Sequence, residues 1–386
     1  MRAINRSAVL ETIRRKGPIS RSAIAQSLHL SLPTVMRIAD ELIEEHFVRA
    51  QGTTEWSGGR RRPLLEFNAD GFVVVGADLG GTKMYGAASN LAGIVLDEVN
   101  IARHGTSGEE SFSWLVSVLD TLLASPKLEG RRVRGIGVGV PGVTQHNEGV
   151  VRWASTLKWK DFPLKARLEE RYKLPVTVDN DVNLACLGEL WYGAGQGLQH
   201  MVLVAIGTGI GSGIIIDGAL YRGSEEASGE IGNMIPGREF LGKDFQGFGA
   251  LESVASGTGI AERARALLRS EGRLDDGDDL HAEDVFDAAR RGEKWAWTVI
   301  DETVDYLAIA IANLITCFDP EVIVLGGGVT RSADLLIEPI VRRIGTSIPS
   351  VPRLVVSTLG LRAAVMGAIT IVLHQTSDFY VVHKLS

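Results

Sequence analysis

Two rhythms of apolar residues divide the chain. Up to Phe67 they recur at the spacing of short amphipathic helices, and from Phe72 they gather into short runs punctuated by glycine. Ile4, Val9, Leu10 and Ile13 define the inner face of a helix predicted over Asn5–Lys16, which Gly17-Pro18 stops. Ser20 is placed to cap a second, short helix that turns Ile24, Ala25 and Leu28 inward, and the chain turns at His29-Leu30. Ser31 opens a third helix, with Pro33 in its first turn and Val35, Ile38, Ala39, Leu42 and Ile43 along one face. Phe47–Gln51 and Leu64–Phe67 read as two strands around the polar stretch Gly52–Arg62. Helix, turn, helix and strand pair together predict a winged helix-turn-helix.

Beyond this head, strand-like runs cover Phe72–Ala77, Gly135–Val140, Pro175–Val178, Met201–Ile206, Ile214–Ile216 and Val322–Leu325. Ser111–Leu123, Leu164–Tyr172 and Asp301–Phe318 carry helical patterns between them. The alternation predicts an α/β body with buried sheets in two lobes. Met201–Ile216 is the longest apolar stretch, but four glycines interrupt it. It also falls short of the ~20 residues that a spanning helix needs, so it reads as buried strands.

Composition narrows the class. Apolar residues at 45% and charged residues at 23% of 386 fit a globular chain large enough for several cores. Cys186 and Cys317, far apart, exclude a disulfide framework and a four-thiolate zinc site, and they fit a reducing cytoplasm. Met1–Lys16 is charged throughout and lacks the apolar run of a signal peptide. The net charge of -7 hides an asymmetry: Met1–Phe67 holds 11 Lys+Arg against 7 Asp+Glu, and the rest holds 29 against 40. A basic head on an acidic body points to double-stranded DNA as the head's partner. The start of the third helix would then offer Leu32, Thr34 and Arg37 to bases and phosphates, with Ser31 on the backbone. Arg60, Arg61 and Arg62, at the wing tip, would reach phosphates or a narrow minor groove. The alternative is a small helical interaction domain with a solvated basic loop.

Candidate chemistry sits in the body. Asp78-Leu79-Gly80-Gly81-Thr82-Lys83 follows the first strand. Glycines there let backbone amides approach phosphate oxygens, Thr82 adds a hydroxyl donor, and Asp78 could orient a hydrated Mg²⁺. The Gly-Lys-Ser/Thr ending of a Walker loop is absent. Gly207-Thr208-Gly209-Ile210-Gly211-Ser212-Gly213 is a second such loop between two apolar runs, and Gly326-Gly327-Gly328 leaves space for a flat base. Any one of them alone is equally a glycine-rich hairpin; together they suggest a nucleotide clamped in a cleft. Val178-Asp179-Asn180-Asp181-Val182-Asn183 puts acidic and amide groups directly after a strand. A carboxylate there could accept the proton of a hydroxyl attacking a phosphate. The other reading makes these residues the cap of a helix through Ala185–Trp191.

These loops, with Gly229-Glu230-Ile231-Gly232-Asn233 and Gly249-Ala250-Leu251-Glu252, resemble the ROK family (repressor, open reading frame, kinase) over nearly the whole chain. Its members are sugar kinases and winged-helix regulators, the latter including the xylose and N-acetylglucosamine repressor type. The resemblance implies a two-lobed, actin-like body of the ribonuclease H-like class behind a winged helix-turn-helix head. The head would take residues 1–70, the first lobe 71–182 with a returning helix at about 361–375, and the second lobe 183–360. By resemblance, Asp78, Gly80, Gly81, Thr82 and Lys83 form the first phosphate loop. Gly207, Thr208, Gly209 and Gly211 form the second, and Gly326 and Gly327 lie in the adenosine region. Asp181 matches the catalytic base, and Asn180, Asp181, Glu230, Asn233 and Glu252 the sugar ligands.

Two departures qualify the match. The family motif between the two glutamates gives one His and three Cys to a structural zinc, whereas this chain has Asn233, Lys243, Phe245 and Ala250 there. No structural zinc is expected, and no metal ligands are assigned. Asn233 can still hydrogen-bond a hydroxyl. Conversely, the first phosphate loop, eroded in many repressors of the family, is intact. Two functions follow. One is a sugar-responsive regulator of carbohydrate genes, most simply a repressor, that binds a palindromic operator as a homodimer or homotetramer and a sugar between its lobes. It requires no cofactor. The other is an ATP-dependent hexose or N-acetylhexosamine kinase carrying the head, which would use ATP and Mg²⁺. Both are expected in the cytoplasm, away from membranes.

Overall fold

Side-chain caps set the limits of the first helices. The structure, a computed structural model, describes residues 2–51, 63–80, 83–102, 108–245, 249–273 and 279–376. Its head comprises α1 (Arg2–Lys16), α2 (Arg21–Leu28), α3 (Leu32–Glu44), β1 (Val48–Gln51) and β2 (Leu64–Phe67). The Ser20 and Ser31 hydroxyls accept hydrogens from the Ala23 and Thr34 amides. His29, at φ 53°, closes α2 in the left-handed region so that the chain can swing into α3. β1 pairs antiparallel with β2, Val48 opposite Phe67, and Ile19 exchanges two hydrogen bonds with Leu65 beside them. Val9, Leu10, Ile13, Ile24, Val35, Ile38, Leu42, Phe47 and Leu65 are buried among these elements. α1 starts at Arg2, ahead of the expected Asn5. The side chain of Ile4 and the wing tip with Arg60, Arg61 and Arg62 lie outside the described residues.

The body repeats one sheet plan twice. In chain order the first half has β3 (Val73–Leu79), β4 (Lys83–Asn90), β5 (Val95–Ala102), α4 (Gly108–Leu123), β6 (Val133–Val140), β7 (Val143–Gln145), β8 (Val150–Ala154), β9 (Trp159–Phe162), α5 (Leu164–Tyr172), β10 (Val176–Asn180) and α6 (Asp181–Tyr192). The second half has β11 (Met201–Ile206), β12 (Ile210–Ile216), β13 (Ala219–Leu220), α7 (Glu252–Ala255), α8 (Gly257–Ser270), α9 (Ala282–Arg290), α10 (Lys294–Phe318), β14 (Val322–Gly326), α11 (Ile337–Ile344), β15 (Arg353–Val356) and α12 (Ala363–Thr376). The sheets run β5-β4-β3-β6-β10 and β13-β12-β11-β14-β15: three antiparallel strands, then two that continue parallel to the third, in the same order. β7, β8 and β9 form a small third sheet beside the first lobe. The antiparallel pairs β3–β4 and β11–β12 therefore hold the same place in the two sheets. This is the two-lobed, actin-like α/β architecture expected, behind a winged helix-turn-helix.

Glycines allow the closest packing between helices. A Cβ on Gly188 of α6 would lie 2.1 Å from the Ala363 carbonyl, and one on Gly367 of α12 1.8 Å from that of Leu184. The last described helix thus lies directly on α6 and on the first lobe's sheet. The head does not float free of it: Val365, Met366, Ile369, Val372 and Leu373 of α12 share one buried cluster with Val9, Leu10, Phe47 and Leu65 of the head and with Phe72 and Val74. At that seam the Phe47 and Phe72 rings are 5.3 Å apart, with the Arg134 guanidinium over both. Among the described residues no helix is long and apolar enough to cross a membrane.

Candidate functional site

Both readings of the Asp179–Asn183 segment hold. Asn180 ends β10 and caps α6: its Oδ1 accepts the Val182 and Asn183 amide hydrogens at 2.9 Å each, and its Nδ2 donates to the Gly142 carbonyl at 3.0 Å. One Nδ2 hydrogen remains for a ligand. Asp181 follows as the first residue of α6, its Oδ1 accepting from the Val182 amide at 2.9 Å. Burial raises its pKa to about 6, although backbone hydrogen bonds pull the other way. That value suits a group that takes up and gives back a proton near neutrality.

Asp78 faces Asp181. It is the penultimate residue of β3, not part of the loop after it, and its Oδ1 is buried without a hydrogen-bond partner among the described residues. A Cβ on Gly139 of β6 would lie 3.3 Å from that oxygen and 3.5 Å from the Asp181 Cα, so glycine there lets the two acids approach. Burial, then the Asp181 charge, holds the Asp78 carboxyl well above the ordinary aspartate range. An orphaned buried oxygen beside a second carboxylate fits a cation or donor supplied by a ligand. Of the loop itself, Gly80 is described, Gly81 and Thr82 lie outside the described residues, and Lys83 opens β4 with its side chain exposed.

The second loop is tighter than expected. The Gly207 amide donates to the Gly209 carbonyl at 2.9 Å and β12 begins at Ile210, so the turn is Gly207-Thr208-Gly209. Gly211, expected in the loop, belongs to β12: a Cβ there would meet Val182 at 3.1 Å, and one on Gly213 would meet Cys186 at 2.3 Å. These two glycines let α6 lie on the strand, a close approach that loop spacing alone does not reveal. The turn is tied to α8, because the Gly257 amide donates to Gly207 and the Thr258 hydroxyl to Thr208. Gly326 ends β14. Gly327, at φ 86°, presses on the Ile206 carbonyl, and Gly328 faces open space.

Glu252, first residue of α7, reaches back to this turn. Its Oε2 accepts the Ile210 amide hydrogen at 2.9 Å, and a Cβ on Gly209 would sit 2.4 Å from that oxygen. Burial raises its pKa and the Ile210 hydrogen bond partly offsets that. Glu230 and Asn233 are exposed, just after Gly229, whose φ of 91° no larger residue holds easily. Partial burial, then the charges of Asp181 and Glu252, raise the Glu230 pKa. Asp78 thus feels Asp181, and Glu230 feels both Asp181 and Glu252, so four carboxylates from separate segments of both lobes are brought near one another.

The positions that hold zinc in the resembled family are packed differently. Phe240 and Phe245 stack at 6.0 Å, Tyr306 meets Phe240 edge-on at 5.7 Å, and the Lys243 ammonium lies 5.9 Å from the Phe240 ring centre. Ala250 is buried. An amide, an ammonium, a phenyl ring and a methyl offer zinc no thiolate or imidazole, so this donor set does not fit the metal. Among the described residues no group of three or more His, Cys, Asp and Glu side chains is arranged to hold an ion.

On the head, Ser31 is committed to capping, with Thr34 Oγ1 2.7 Å from its hydroxyl, and Leu32 and Thr34 are half-buried. Arg37 is exposed and makes no ion pair with a described residue, whereas Arg6, Arg21 and Arg49 are engaged by Glu45, Asp40 and Glu66. Met36, 45% exposed beside Arg37, was not anticipated, although the helical period that buries Val35 and Ile38 puts it on the outer face. The ion pair of Asp179 with Arg222 was also missed: 43 residues separate the partners and no motif marks them.

The ROK family profile matches residues 74–375, and a winged helix-turn-helix DNA-binding profile matches 3–49. The chain is 29% identical over 390 residues to the xylose repressor of Caldicellulosiruptor bescii, covering 98% of each chain. It is 38% identical over 311 residues to the glucokinase of Halalkalibacterium halodurans, covering 76% of this chain and 92% of that one. The crystal structure of a ROK family transcriptional regulator, homolog of E. coli MLC protein, superposes with a TM-score of 0.83 at 27% identity, over 99% of this chain and 98% of that one.

Proposed function

Because the chain belongs to the ROK family and carries a winged helix-turn-helix head, we propose that it is a sugar-responsive, DNA-binding transcriptional regulator, most simply a repressor of carbohydrate genes. The observation that carries this reading is the head itself, a winged helix-turn-helix whose apolar faces share one buried cluster with α12 and the Phe47–Phe72 seam. A glucokinase-like body alone would need no such element. The similarity to a xylose repressor extends over head and body alike, while the likeness to glucokinase stops at the body.

In this reading α3 enters the major groove with Arg37 and Met36 outward, and the wing arginines Arg60, Arg61 and Arg62 take phosphates. Two heads on one palindrome require at least a homodimer, working in the cytoplasm. A sugar sits between the lobes on Asp181, Glu230, Glu252, Asn233 and the free hydrogen of Asn180. It shifts DNA affinity only as far as it binds the two lobe arrangements unequally. Gel-shift titration on the chain's own upstream region, with and without xylose, glucose and N-acetylglucosamine, tests this. One sugar should weaken the complex, and an absence of specific DNA binding from 50 to about 300 mM salt would overturn it.

A second reading has one observation in its favour: Asp181, with a pKa near 6, lies across Gly139 from the buried Asp78 oxygen, which is unpartnered among the described residues. Asp181 would hold the proton of the attacking sugar hydroxyl, the β3–β4 and β11–β12 turns would bind phosphates through backbone amides, and Asp78 would face a hydrated Mg²⁺. ATP, when bound, would supply the transferable phosphoryl group. Turnover of any panel sugar that Asp181→Ala abolishes would make the protein an enzyme as well as a regulator.

A further inference from the structure

The segment Tyr221–Gly229 leaves the edge strand of the second lobe and fastens itself to the first. The Tyr221 amide donates to Ile214, the Ser228 amide to Arg222, and the Ser212 amide to Gly229, which closes the segment as a loop. From this loop Arg222 crosses to Asp179, at the end of β10 in the first lobe. Its Nη1 and Nη2 donate to Oδ1 and Oδ2 at 2.8 and 2.6 Å, and the Asp179 side chain is only 1% exposed. A few residues on, the Glu226 carboxylate accepts the His146 backbone amide hydrogen at 2.8 Å, and both its oxygens lie 2.9 Å from His146 Nδ1. His146 follows β7, in the small sheet beside the first lobe. Glu226 makes these contacts from φ 55°, a left-handed backbone that costs a non-glycine residue about 1 kcal/mol or more. Strain of that kind persists where its surroundings hold it, here through three contacts to the opposite lobe.

We propose that Tyr221–Gly229 is a strap across the cleft, and that Arg222 and Glu226 are positioning residues that fix Glu230 and Asn233 against Asp181. Both ends of the ligand set are fastened by it: Asp179 is two residues before Asp181, and Glu230 directly follows Gly229. With the strap on, the first-lobe and second-lobe ligand groups keep one separation, and a bound sugar bridges groups already in place. With it off, the second-lobe groups lose their tie to the first lobe, and affinity falls by the cost of restoring it. The proposal rests on reading the cleft as the sugar site.

Arg222→Ala is the obvious test but would leave Asp179 buried and unpaired, which can unfold the protein. The half-buried Glu226–His146 pair is the better target, in the full-length chain. Glu226→Ala, His146→Ala and the double variant are titrated calorimetrically with xylose and glucose, and amide exchange over 221–229 is followed without ligand. Each single variant should bind the sugar on the order of tenfold more weakly, the double no more weakly than either, and Glu226→Gln, which keeps an acceptor, within about threefold of the parent. Exchange at Tyr221 and Ser228 should accelerate in Glu226→Ala. Unchanged affinity, or losses that add in the double variant, overturns the positioning role; unchanged exchange overturns the strap. If the parent chain binds neither sugar, the sugar reading fails, and the exchange measurement still decides whether the strap exists.

Discussion

A methyl group at Gly209 is a sharp probe of the cleft, because the structure says what it would strike. A Cβ there lies 2.4 Å from Glu252 Oε2, inside any real contact distance, while the same atom on Gly207, two residues earlier, meets nothing within 4 Å. In Gly209→Ala the carboxylate must swing away, breaking its hydrogen bond with the Ile210 amide. A hydrogen bond to a charged group contributes about 1.5–3 kcal/mol, which corresponds to roughly 10- to 150-fold in affinity if Glu252 holds a sugar hydroxyl from that position. Calorimetric titration of Gly209→Ala and Gly207→Ala with the inducing sugar separates this effect from general damage to the turn, and a melting curve checks that both fold. Gly209→Ala should lose affinity in that range and Gly207→Ala should stay within about twofold. Equal affinities for the two, or equal losses, would refute the argument, since the steric difference between the positions is its whole content.

Other expectations follow from the same geometry. The folded-state pKa of Asp181 is raised to about 6, so its contribution favours the folded state below pH 4 and is lost as pH rises through 6. Relative to Asp181→Asn, the ligand-free protein should therefore lose ~2 kcal/mol of stability between pH 4 and 6, and parallel melting profiles for the two would exclude the shift. Arg37→Ala should weaken operator binding by ~1–3 kcal/mol with relaxed preference at one base pair, whereas replacing Arg60, Arg61 and Arg62 should flatten the log K against log salt slope by up to ~3. Fluorescence anisotropy at three salt concentrations distinguishes these. Gly188→Ala would put a Cβ 2.1 Å from the Ala363 carbonyl and should destabilise by ~1–3 kcal/mol in urea unfolding; wild-type stability would mean that α12 can shift away freely. Tyr192→Phe should leave sugar affinity unchanged while reducing the effect of sugar on DNA affinity, measured as the ratio of operator Kd with and without ligand.

What the sequence discloses is what is local. The head's helices could be read because their signals are contiguous: Ser20 and Ser31 as caps, Pro33 in a first turn, and apolar residues at helical spacing whose side chains are now buried. The buried strands β3, β6, β10, β11, β12 and β14 were legible as apolar runs, but β4, β5, β7, β8, β9, β13 and β15 were not, because they are short or mix polar residues and glycine into the run. The duplication of sheet order was not, because register and neighbour choice depend on pairings across more than a hundred residues, such as Val202 with Ile323. The same holds in the cleft. Asp78 stood out beside a glycine loop, Asp181 in an acidic cluster after a strand, and Glu230 and Glu252 by resemblance to the family motifs, but Gly211 was misplaced because a glycine that admits a helix looks like one that admits a phosphate. Arg222 and Asp179 could not be paired by any spacing rule; only the fold brings the two lobes' edges together.

The packing of α6 bears on how cleft and head are related. Its first residue is Asp181, beside Asp78, and its last is Tyr192, whose buried hydroxyl lies near Thr370 of α12 and feels the charge of Arg14 in α1. Twelve residues of helix rise roughly 18 Å, so one rigid element reaches from the ligand groups to the foot of the head. Along its length the Gly188 and Gly367 contacts leave α12 no gap into which a displacement of α6 could dissipate, and α12 in turn is part of the head's own core. Close-packed elements of this kind move together or change partners; they do not deform smoothly. If the sugar reading holds, a ligand that draws Asp181 toward Glu230 would act on the same helix whose Tyr192 feels Arg14, and the proposed strap at Arg222 would set how much of that movement remains to be made when the sugar arrives.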